Sequence, residues 1–212
     1  MPITPDTKDW TWVLESRCGE CGFDPTATSF DQIPHIVREN LAAWQPVLAG
    51  PDVRLRPDEQ TWSPLEYGAH VRDVFRIFLT RLRLMLAEDD PLFENWDQDR
   101  TAVEDRYAEQ DPATVADELA AAGEAVAAAF AAVPRSALRR RGRRSNGSVF
   151  TVPRSGCTSY TTRCTISTMF PARPRISAGN RSPRVRAYRR HRPPGISTLA
   201  RRPSMPARHC GL

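Results

Sequence analysis

The chain has 212 residues, room for one large domain or two small ones at about 100–200 residues per domain. Its formal net charge of +5 averages two unlike parts: all 25 acidic residues lie in the first 124 positions beside 11 Lys or Arg, a balance of −14, whereas the last 88 positions carry 19 basic groups and no acid. This excludes a uniformly basic surface, and the sequence has no apolar run near the roughly 20 residues that a membrane span needs.

The first segment, residues 1–28, shows no apolar stretch behind Lys8, so no secretory leader is expected and the cytoplasm is the expected compartment. An odd count of 5 cysteines in a reducing compartment argues against a disulfide framework. Cys18 and Cys21 form a Cys-x-x-Cys flanked by glycines. Half of a zinc site, a redox pair and an unused thiol pair are all compatible with that spacing.

Three amphipathic helices are predicted between residues 29 and 133. In the first, Ile33, Val37, Leu41, Trp44 and Leu48 recur every three or four residues, and Gly50-Pro51 ends it. The second opens on Ser63-Pro64-Leu65-Glu66, an N-cap serine with a glutamate three residues on, and carries the stripe Tyr67, Val71, Val74, Phe78, Leu82 and Met85. The third begins at Asp111-Pro112, follows Val115, Leu119, Ala122, Val126, Phe130 and Val133, and stops at Pro134. An acidic connection from Glu88 to Asp111, with Trp96 and Tyr107 in it, reads as an ordered lid or a short extra helix. No strand is predicted, so the fold class is all-α, a helical bundle. Four helices is the commoner bundle, but residues 153–212 hold 13 Arg, 8 Pro and no acid without helical periodicity, and such a composition predicts a disordered basic tail.

The second helix, with Trp62-Ser63-Pro64-Leu65-Glu66-Tyr67 followed by His70, Val71 and Asp73, resembles the DinB-like superfamily, related to the mycothiol-dependent maleylpyruvate isomerases. The segments Asp9–Leu14 and Cys18–Asp24, with Asn95–Asp99 and Asp105–Tyr107, resemble an actinobacterial branch of it. The resemblance spans residues 9 to about 152. It implies a four-helix bundle holding one divalent metal, zinc or nickel, on one histidine of helix two and two histidines of helix four at His-x-x-x-His spacing. Of that set the chain carries only His70.

A second reading frame accounts for the missing pair. When the third base of each codon from Cys157 to Phe170 is joined to the next two, the sequence becomes His-Leu-Leu-His-Asp-Ala-Val-His-His-Leu-His-Asp-Val, taking G or C where the choice allows. His or Tyr is forced at the junctions after Cys157, Tyr160 and Cys164, and the final Val is forced by Met169-Phe170. Residues from about 153 onward therefore read as a frameshift product, with the bundle (residues 29–152) left incomplete and its fourth helix missing or scrambled. The arginine richness and the absence of acid follow from reading GC-rich DNA out of frame.

Several expectations follow. A lone histidine beside an apolar stripe is ordinarily a core or boundary residue; the resemblance makes His70 the surviving metal ligand of the family, unable alone to hold an ion tightly. Asp73 reads as an exposed carboxylate or as a group orienting His70. The lineage implied is a metal-dependent thiol transferase or isomerase, acting with a low-molecular-weight thiol on a small electrophile, and this chain is expected to carry no metal and to be inactive. The alternative is a non-catalytic binding protein, or one that associates with nucleic acid through the basic tail. A bundle short of one wall would leave Val74, Phe78, Val126 and Phe130 partly exposed, giving a sticky chain prone to self-association as a homodimer.

Overall fold

The computed structural model describes residues 16–19 and 22–159. Helix α1 spans Ile33–Leu48, α2 Pro64–Ala87, α3 Gln98–Glu104, α4 Pro112–Ala131 and α5 Val152–Ser159. The long helices start where local chemistry dictates. Ser63 Oγ accepts from the Glu66 amide while the Glu66 carboxylate takes the Ser63 amide at 2.8 Å, closing the capping box of α2. Asp111 caps α4 by accepting from Thr114 N at 2.8 Å, with Pro112 at the first helical position.

Helices α1, α2 and α4 share one core in which Trp44, Leu65, Phe75, Leu82 and Phe130 are fully buried. None of the described helices is long and apolar enough to cross a membrane.

Three features differ from the sequence expectation. First, there is a small sheet in the order β1-β2-β3: Leu92–Phe93 (β1) pairs in parallel with Arg141–Arg144 (β2), which pairs antiparallel with Val149–Thr151 (β3). The β2–β3 hairpin turns through Asn146-Gly147, where Gly147 adopts φ +88°, a conformation that favours glycine. Arg140, just ahead of β2, donates to the carbonyls of Met85 and Glu88 and so satisfies the end of α2. Second, periodicity gives no helix after Pro153, yet α5 forms across the expected domain boundary, with Val152 and Ser155 buried in the bundle. Residues 160–212, where the basic tail is expected, lie outside the described residues.

Third, Val74, Phe78, Val126 and Phe130 are not left bare but are at most 3% exposed. The sheet and α5 supply the missing cover. Phe130 meets the Phe30 ring edge-on at 6.1 Å and lies beside Gly156 of α5, while Arg81 and Phe93 shield Phe78. The large exposed apolar residues among those described are Leu55, Leu92, Val103 and Val149, of which Leu92 and Val149 flank Arg143 on one face of the sheet.

Candidate functional site

His70 lies two turns into α2, and its surroundings come from three separate pieces of chain. Trp62, just before the N-cap, places its ring 5.3 Å from the imidazole and 5.4 Å from Tyr67. Trp96, from the connection between α2 and α3, stacks on the imidazole at 5.5 Å with only 9° between the planes. Tyr107 closes on Trp62 at 6.4 Å. His70 is 6% exposed within this aromatic enclosure.

Local sequence fixes the stacked ring. Asp97 caps α3 by accepting from the amides of Asp99 and Arg100, its carbonyl accepts from the Thr101 hydroxyl at 2.8 Å, and Thr101 Oγ1 in turn accepts from Trp96 Nε1 at 2.9 Å. Arg106 then takes a left-handed conformation, φ 47°, before the turn Tyr107–Glu109 that carries Tyr107 into the interior. The acidic connection is thus both of its predicted alternatives at once: it contains a short helix, and it lies over His70.

Asp73, one turn after His70, is neither the exposed carboxylate nor the group orienting His70 that the sequence allows. It is buried, and its two oxygens accept from Arg72 Nε and Nη2, both at 2.9 Å, from Arg76 at 3.2 Å and from the Tyr107 hydroxyl at 2.6 Å. Arg72 also reaches Gln110 and Glu118, tying α2 to α4 and to the chain before it. Burial alone would raise the Asp73 carboxyl pKa; the hydrogen bonds from Arg72 and Tyr107 and the two positive charges outweigh it and hold the group below its ordinary 3.8. Glu66 is likewise raised by burial but held below its ordinary 4.5 by Arg56 and Ser63. Burial drives the Tyr107 hydroxyl well above its usual range, so it remains a donor to Asp73.

These shifts carry a pH prediction. A carboxylate with a depressed folded pKa contributes stability that is complete above the unfolded value and is lost as pH falls through the folded one. Urea unfolding measured from pH 7 downward is expected to give a flat stability to about pH 5 and a steep decline below pH 4. Asp73→Asn is expected to lower the plateau and flatten the acid limb; an unchanged limb in that variant would assign the decline to other carboxylates.

The described residues do not make a metal centre. Among the described residues no group of three or more His, Cys, Asp and Glu converges, the Asp73 carboxylate one turn on is committed to arginines, and Trp62 and Trp96 both lie against the imidazole. Of the Cys-x-x-Cys, Cys18 is buried in a turn closed by Cys18 N to Phe23 O at 2.8 Å, whereas Cys21 lies outside the described residues. Trp62, Tyr107 and Arg72 are the neighbours that sequence reasoning did not assign to the site. The signal for Tyr107 was an isolated aromatic in an otherwise acidic connection.

Comparison with known proteins decides the family. The model of the DinB superfamily matches residues 35–156, more than half of the chain. The chain belongs to the DinB superfamily. As a DinB-superfamily bundle it shares its fold with YfiT from Bacillus subtilis, described as a probable metal-dependent hydrolase with an unusual four-helix bundle topology: the TM-score is 0.62 at 14% identity, covering 68% of this chain and 88% of that one. No curated protein matches the sequence.

Proposed function

We propose that this DinB-superfamily chain derives from a line of metal-dependent enzymes and, as it stands, has no catalytic metal centre because the codons for the partners of His70 are read out of frame. One observation carries the reading: the family match ends at residue 156, and the codons around and after that point can be read in the alternate frame as a histidine-rich segment with a pair at i, i+4. Helix α5 packs on α2, the helix of His70, and its continuation would carry those histidines. The description of YfiT as a probable metal-dependent hydrolase supports metal dependence in the line. The resemblance to thiol-dependent isomerases favours transfer of a low-molecular-weight thiol to a small electrophile in the cytoplasm, with hydrolysis as the competing reaction class. A nucleic-acid role for the basic tail is the second reading, and salt-dependent binding with sequence preference would favour it.

Metal analysis of three purified proteins tests the proposal: the chain as given, the chain with the alternate frame restored from about codon 153, and the restored chain with His70→Ala. The first is expected to hold well under one equivalent of zinc or nickel, the second about one, and the third again little, since three protein ligands are the usual minimum for a site open to substrate. Stoichiometric metal held by His70 in the chain as given would overturn the reading. Equal metal in the restored chain with and without His70 would remove His70 from the ligand set.

A further inference from the structure

Arg81 of α2 and Arg144 of β2 approach each other where the sheet meets the helix. Gly142 and Arg144 alternate along β2 and so face the same side of the sheet. On that side a Cβ at Gly142 would lie 2.2 Å from Phe93 Cζ and 3.0 Å from Met85 Cγ, so β2 lies directly against α2 at Met85. Arg144 is then carried one turn back along the helix, to Arg81. The strand register agrees: Phe93 is the β1 neighbour of Arg144, and the Arg81 guanidinium carbon sits 5.5 Å from the Phe93 ring and 5.6 Å from the Phe78 ring.

Neither guanidinium has a carboxylate partner among the described residues. Arg81 makes one long hydrogen bond, 3.4 Å to the Glu94 carbonyl, and the buried Nε of Arg144 has no hydrogen-bond partner there. The contrast with the adjacent strand residue is direct, because Arg143 pairs with Asp90 at 3.1 Å. Burial, with the Arg144 charge added, pushes the Arg81 pKa down to about 10. Two like charges held together in a partly buried place, on aromatic surface and with unused planar donors, have the chemistry to receive an anion.

We propose that Arg81 and Arg144 form a binding site for an oxyanion, a carboxylate or phosphate group of a small ligand, clamped between the β2–β3 hairpin and α2. The site stands eleven residues along α2 from His70, about 16 Å at 1.5 Å per residue, and it is independent of whether His70 ever bound metal.

The test uses the full chain in two arms, titrated by calorimetry with inorganic phosphate and with succinate at matched ionic strength against chloride. Saturable binding in either arm is expected; phosphate alone, succinate alone or both assigns the group preferred. Arg81→Gln and Arg144→Gln are each expected to weaken binding at least tenfold, while Arg139→Gln, an exposed arginine just ahead of the hairpin, leaves it unchanged. Both site variants are expected to fold, since each removes one of two mutually repelling charges, and circular dichroism checks this. If either glutamine variant fails to fold, the lysine variant at that position replaces it: charge is kept, the planar fork is lost, and several-fold weaker binding is still expected. Absence of saturable binding in both arms, full binding in the folded site variants, or an equal loss in Arg139→Gln would overturn the proposal.

Discussion

Asp73→Ala is expected to destabilise the protein by about 3–5 kcal/mol, the cost of leaving a buried arginine without its counter-charge. Arg72 is 5% exposed, and two of its nitrogens donate to Asp73. Its remaining acidic contact, Glu118, is 41% exposed at the side chain and is shared with Arg76. Glu118 therefore cannot replace the lost carboxylate, and Tyr107 would lose the acceptor of its hydroxyl at the same time. Urea unfolding at pH 7 measures the effect. A loss below about 1 kcal/mol would mean that water reaches the cluster and that the network acts as a surface ion pair.

The second large effect is expected at Phe130. It is fully buried, meets Phe30 edge-on and lies against Gly156, so it joins α4 to the chain entering α1 and to α5. Phe130→Ala removes that contact on both sides and is expected to cost about 3–5 kcal/mol, a large part of the stability of an ordinary domain. Phe130→Leu, which retains most of the volume, is expected to cost less than half as much. Equal losses for the two would place the effect in helix α4 itself and not in the cavity.

The parts of the fold legible in the sequence are those governed by local rules. Ser63 and Asp111 announce α2 and α4 because an orphan amide needs a nearby acceptor, and the stripes from Ile33 to Leu48 and from Tyr67 to Met85 repeat at the helical period because one face is buried. The hairpin was illegible for the converse reason. Arg141-Gly142-Arg143-Arg144 has no apolar alternation, and its inward face is filled by Phe93, which comes from nearly fifty residues earlier. Helix α5 is short and carries few apolar residues, and it packs where Gly156 meets Ile33 and Phe130. The role of Asp73 was hidden for a related reason: neighbours in a helix do not ordinarily face each other, and the Arg72 pair is completed by a tyrosine 34 residues away. His70 stood out in the sequence through the family resemblance and as a histidine at the edge of a stripe, but its aromatic enclosure did not, since nothing local predicts that Trp96 would stack on it.

The parallel pairing of β1 with β2 has a consequence for the order in which the molecule assembles. Trp96 hangs between β1 and the capped start of α3, and β1 has no strand partner until residues 141–144 have been made and docked, after the whole of α4. Closing so long a loop comes at an entropic cost that local helix formation does not bear, so α2 with its histidine acquires structure early and the sheet that anchors β1 late. A nascent chain halted before Arg141 would hold Trp96 over His70 only through the local Asp97–Thr101 cap, and the full anchoring of that ring belongs to the final stage of folding.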